Sequence, residues 1–146
     1  MEGWELLMLI MLNMLQQRIN QHQLLNGLRI KLLRLHKVLL EMERINYEQV
    51  WGQVTRGELL QLVIQHDQFA WLHQLSELIV QIDDLLQADE PVTADVIKAL
   101  MTDIRTLLTP DELGDTFAMK YDAAFQRNPD AVLAHADVVA LLASDT

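Results

Sequence analysis

Apolar residues recur at three- and four-residue spacing along nearly the whole chain, a period that predicts helices. The pattern is clearest over residues 68–87, where Leu72, Leu75, Ile79, Ile82 and Leu86 align, with Trp71, Leu78 and Leu85 beside them. His73, Glu77, Gln81 and Asp84 gather on the opposite side, and Ser76 and Asp83, one heptad apart, fall at the edge of the apolar arc. This stretch reads as a central helix on which others pack, with Asp67 placed to cap it. A longer helix is predicted over residues 28–51. Leu28, Leu32, Leu35, Leu39 and Val50 form its inner face, and Arg34, Lys37, Glu41, Arg44 and Glu48 form a solvated face of mixed sign.

Helix punctuation divides the rest. Asn26-Gly27 predicts a break or kink before the long helix, and Gly52 ends it. Thr55 and Glu58 have capping-box spacing for a short helix through Gln65. Asp89-Glu90-Pro91 is a break, and Thr93 caps a helix to about Leu108. Thr109-Pro110 predicts a further helix start, with proline at the first helical position. Gly114 lets the chain bend before a helix from Asp115 to Gln126, faced by Phe117, Tyr121, Ala124 and Phe125. Asn128-Pro129 opens the last helix, whose inner face is expected to carry Val132, Ala136 and Val139. With no internal repeat and no long linker, the expected fold is all-α, a compact single-domain bundle of six to seven helices spanning residues 1–146.

Residues 1–15 differ from every other segment. Trp4, Leu7, Met8, Met11 and Leu15 line one side, and Leu6, Leu9 and Ile10 cover the back. Glu2 and Glu5 stand where a secretory signal would be basic. Asn13, Gln16 and Gln17 interrupt the run before the ~20 apolar residues a membrane span needs. A helix apolar on all sides must be covered by something: the domain itself, a second subunit or a membrane surface, with a second subunit the leading expectation. Met11 and Met14 are alternative start positions.

Composition narrows the class. Hydrophobic residues make up 51% of 146, which argues against disorder, and five glycines with three prolines are too few for a turn-rich β protein. The net charge is −10, unevenly spread: +2 over residues 1–56 and −12 over residues 57–146. That balance repels nucleic acid and anionic lipid, so nucleic-acid binding is excluded and membrane attachment through residues 4–15 ranks last. No cysteine is present, which removes disulfides, thiolate metal sites and a cysteine nucleophile and is compatible with a cytoplasmic setting.

The candidate chemistry lies on the inner face of the long helix. His36, Glu43, Asn46 and Tyr47 project toward the core, where an unpaired polar group costs ~1–3 kcal/mol, and more if charged. One resolution is an internal network, Tyr47 donating to Glu43 and His36 bonding Asp83 or Ser76. Another is partial exposure near Asn46 and Tyr47. A third is a small-molecule or metal site inside the bundle, lined by His36, Glu43, Tyr47, Ser76 and Asp83. The Glu-x-x-His signature of bundle metal sites is missing, so no metal ligands are assigned and no cofactor is specified. His73 and Glu77, four apart, read as a surface pair. Nucleophile-elbow, P-loop, dinucleotide and zincin motifs are all missing, and a Ser76, His36, Asp83 trio is of a kind any helical chain supplies by chance. The leading expectation is a non-enzymatic helical interaction or scaffold protein that self-associates, as a homodimer, through its N-terminal helix. The alternative is a ligand-binding, and then catalytic, bundle.

Overall fold

The computed structural model describes residues 2–144, which form six α-helices, and no strand is present among them. They are α1 (Gly3–Trp51), α2 (Arg56–Gln65), α3 (His73–Gln87), α4 (Ala94–Leu107), α5 (Thr116–Arg127) and α6 (Pro129–Ser144), with a short 3-10 helix at Asp67–Leu72. The all-α bundle expected from periodicity is what the chain forms.

Its main departure from expectation is α1, one unbroken helix of 49 residues, about 73 Å long. Asn26-Gly27 does not interrupt it. A lone glycine costs a helix only ~1 kcal/mol, which flanking packing overrides. Gly27 instead gives close approach: a Cβ there would lie 3.1 Å from Leu141 Cδ2 of α6. From Leu25 onward α1 is part of the bundle, burying Leu25, Leu28, Leu32, Leu35 and Leu39 against α3 and α6. Val50, expected inside, is 71% exposed, because α1 has run past the bundle's edge by its last turn. Gly52 ends the helix at φ 91°, a left-handed conformation that glycine adopts without strain. The Glu48 carboxylate, ion-paired with Arg44, accepts from the Val54 amide at 2.9 Å and ties down the turn into α2.

The expected caps hold at Thr55 and Thr93, whose side chains accept from the amides of Glu58 and Val96, and Asp115, expected as the first residue of its helix, caps it by accepting from the Ala118 amide. Two others do not. Asp67 does not cap an α-helix; residues 67–72 coil as 3-10, opened by His66 Nδ1, which accepts from the Gln68 amide at 3.1 Å. Three residues per turn put Phe69 and Leu72 on one side, and both are fully buried. Thr109-Pro110 starts no helix. Thr109 donates back to the Arg105 carbonyl at 2.7 Å, and Asp111 accepts from the Leu113 amide at 2.9 Å, a local turn that wins over helix initiation.

In α3 the predicted face is the buried one, with Leu75, Leu78, Ile79 and Ile82 inside. In α6 it is not. Ala131, Ala134, Val138 and Leu142 are buried, whereas Val132, Ala136 and Val139 are exposed. This helix is apolar almost all round, so periodicity carries little information about its orientation. Small residues at the contact let α6 lie close on α1.

Candidate functional site

Two features stand out once the core is accounted for: a line of polar pairs between α1 and α3, and the part of α1 that leaves the bundle.

The polar pairs form an antiparallel ladder. On α1, Arg29, His36 and Glu43 step by seven residues along one edge of the buried stripe. Each meets a side chain from the opposing strip. Arg29 pairs with Asp83, His36 Nε2 lies 2.9 Å from Ser76 Oγ, and Gln68 Nε2 donates to Glu43 Oε2 at 2.8 Å and to the Glu43 carbonyl at 3.1 Å. Asp83 and Ser76 are also seven apart, and the 3-10 turn moves the third rung by one residue, to Gln68. Ser76 Oγ further donates to the Leu72 carbonyl at 3.3 Å, which leaves His36 Nε2–H as donor to Ser76. Burial, reinforced by the charge of His73, holds the His36 imidazole below its ordinary pKa. The ring is therefore neutral at neutral pH, and the tautomer this bond uses carries its proton on Nε2.

Of the sequence candidates, the structure brings His36 and Ser76 together and keeps the others apart. Asp83 is engaged by Arg29, one heptad or about 10 Å along α3 from Ser76, so no Ser76, His36, Asp83 relay is assembled. Glu43 is buried as expected, but its donor is Gln68 rather than Tyr47. Tyr47 instead packs among aromatic rings, with His66 edge-on at 5.5 Å and Phe69 at 6.2 Å. Asn46 is exposed. His73 Nε2 donates to the Val63 carbonyl at 2.7 Å, which tethers α2 to α3. Gln68 and Arg29 escaped the sequence reading. The signal that locates Arg29 is its seven-residue spacing from His36; no such signal marks Gln68, whose position depends on the 3-10 turn.

Three larger clefts lie elsewhere among the described residues, and none of the five candidate residues lines them. One of about 540 Å³ is acidic, bordered by Glu77, Asp103, Asp111 and Asp115. A second, about 590 Å³, carries Arg34, Lys37 and Arg127 opposite Glu41 and Asp130. The third, about 620 Å³, is mainly apolar and touches Arg105 and His135. Behind that third cleft, the hydroxyl of the fully buried Tyr121 is hydrogen-bonded to His135 Nδ1 at 2.8 Å; burial raises the phenol's pKa and lowers the imidazole's, so both stay neutral. Among the described residues no group of three His, Asp or Glu is gathered closely enough to hold a metal ion.

The second feature is larger. Residues 2–20 are exposed throughout, so α1 projects from the bundle as an arm of 18 residues, 3–20, about 27 Å long. Eleven large apolar side chains on it, Trp4 to Ile19, are 48–61% exposed. Together they present on the order of 1,000 Å² of apolar surface, well above the ~300–600 Å² of the largest patch on a typical monomer. No described helix is long and apolar enough to cross a membrane. No protein-family model, curated protein or solved structure matches the chain.

Proposed function

We propose that this is a helical interaction protein that self-associates through the arm of α1, the six-helix bundle serving as the body carried at its base. The observation that supports the reading is the exposure of Trp4, Leu7, Met11, Leu15 and their neighbours along residues 3–20. Water contact at that many apolar side chains is unfavourable, and a second copy removes it along one side of the arm with no change in the bundle. The ~1,000 Å² of arm surface is comparable with the ~800 Å² each partner contributes to an interface of standard size. Four of the chain's seven methionines lie in the first fourteen residues, and flexible thioethers suit such contacts. The reading places the protein in the cytoplasm, in keeping with a chain that lacks cysteine.

The test is sedimentation equilibrium on the intact chain and on a variant lacking residues 1–20. The intact chain is expected to be oligomeric at micromolar concentration and the truncated chain monomeric, with the same helix content per residue. An intact chain that stays monomeric at high concentration overturns the proposal. The alternative of a ligand site along α1 and α3 draws no support from the geometry, since its residues are consumed in separate pairs.

A further inference from the structure

Resting on that reading, we infer that the arms associate antiparallel, with the bundles at opposite ends. Trp4, Met8, Met11, Leu12, Leu15 and Ile19 lie within an arc of about 100° at the helical repeat. That stripe is symmetric about the midpoint of the arm. With residues 3–20 fully overlapped about a two-fold axis between Met11 and Leu12, Trp4 comes level with the partner's Ile19, and Met8 with the partner's Leu15. Met11 comes level with the partner's Leu12. Every apolar level meets an apolar level, the self-complementarity that a two-fold contact requires.

Charge selects this direction over the parallel one. The arm's charged residues are Glu5 near its start and Arg18 near its end. They lie on opposite edges of the stripe, about 140° apart at the helical repeat, so neither direction seats one against the other. The bundles decide the matter. Residues 21–146 hold ten Lys/Arg and nineteen Asp/Glu, a net of −9 on each copy. Parallel arms, with axes about 10 Å apart, force these two acidic bodies against each other. Antiparallel arms hold them about 27 Å apart, more than three of the ~8 Å screening lengths at physiological salt. The orientation is the same whether two arms associate or two such pairs stack to cover Leu6, Leu9 and Ile10.

The chain has no cysteine, so single introduced thiols report direction without background. Met8→Cys and Leu15→Cys are prepared separately, then mixed, allowed to exchange and mildly oxidised. The expected result is a disulfide-linked species of twice the chain mass in the mixture, at least tenfold more abundant than in either variant alone. Linkage of each variant to itself, with no gain on mixing, overturns the antiparallel arrangement. Solution X-ray scattering on the unmodified protein is the second readout: two separated maxima in the pair-distance distribution are expected, and a single compact maximum from an oligomer overturns the proposal. An oligomer with parallel linkage overturns only the orientation and leaves self-association standing. A protein that sediments as a monomer removes both.

Discussion

Glu43 and Gln68 show what a single buried contact requires. Glu43 is 8% exposed, and the Gln68 amide supplies donors to both its carboxylate and its backbone carbonyl. Glu43→Gln keeps an acceptor oxygen in place and is expected to shift stability by less than about 1 kcal/mol. Gln68→Leu removes the donor from a buried acid and is expected to cost ~1–3 kcal/mol in urea denaturation. Equal losses for the two substitutions would show that the contact contributes no more than packing. His36 governs a pH dependence. Its folded pKa lies below the unfolded value of 6.5, so between the two the unfolded chain binds more protons. Stability is then full above pH 6.5 and falls as the pH drops below it, toward the lowered folded value. Thermal melts between pH 7.5 and 5.5 should show a steeper decline for the wild type than for His36→Gln; identical slopes would remove His36 from the account. His135 shifts the same way and supplies the slope that remains. At this scale the sequence marked His36 and Glu43 as anomalies, because polar residues on an apolar stripe need partners. It offered Ser76 or Asp83 to His36, which pairs with Ser76, and Tyr47 to Glu43, which pairs with Gln68 instead, since the choice depends on the register between helices far apart in sequence.

Among the elements, α2 and α4 were legible from spacing and caps, α3 and α5 from spacing alone, and α1 was not. Gly27 read as a break because local propensity says nothing about what lies across from a residue. Its use appears only once α6 is laid against α1. Gly27→Leu is therefore expected to cost ~1–3 kcal/mol by overpacking against Leu141, although leucine is the better helix former. Chemical denaturation measures it, and a stabilised variant would mean that the α1–α6 contact adjusts freely. The misread face of α6 has the same origin. A helix apolar all round offers no phase, so its inner side is set by the small residues Ala131 and Ala134 that suit close contact. The 3-10 turn at Asp67–Leu72 was likewise hidden, because Phe69, Trp71 and Leu72 satisfy a helical pattern as well as a tighter one.

For the molecule as a whole, the arrangement separates a body from a contact surface. The bundle carries almost all of the net charge and a continuous core, and the arm carries apolar surface with two opposite charges. Truncation of the arm is expected to abolish any dependence of the denaturation midpoint on protein concentration and to leave the midpoint of the dissociated chain unchanged, since residues 2–20 contribute no buried side chain. Self-association through the arm is expected to persist at high salt, because apolar burial is not screened, while the preference for one direction weakens as the repulsion between bundles is screened.

The continuity of α1 makes the arm and the bundle parts of one screw. No hinge lies between Asn20 and Leu25, where the helix passes from water into the core. A residue inserted there turns the arm about 100° relative to the bundle and displaces it by about 1.5 Å. The azimuth at which a neighbouring copy sits is thus written into the length of the helix itself, and a change of one residue re-aims the whole assembly without altering a single side chain at either end.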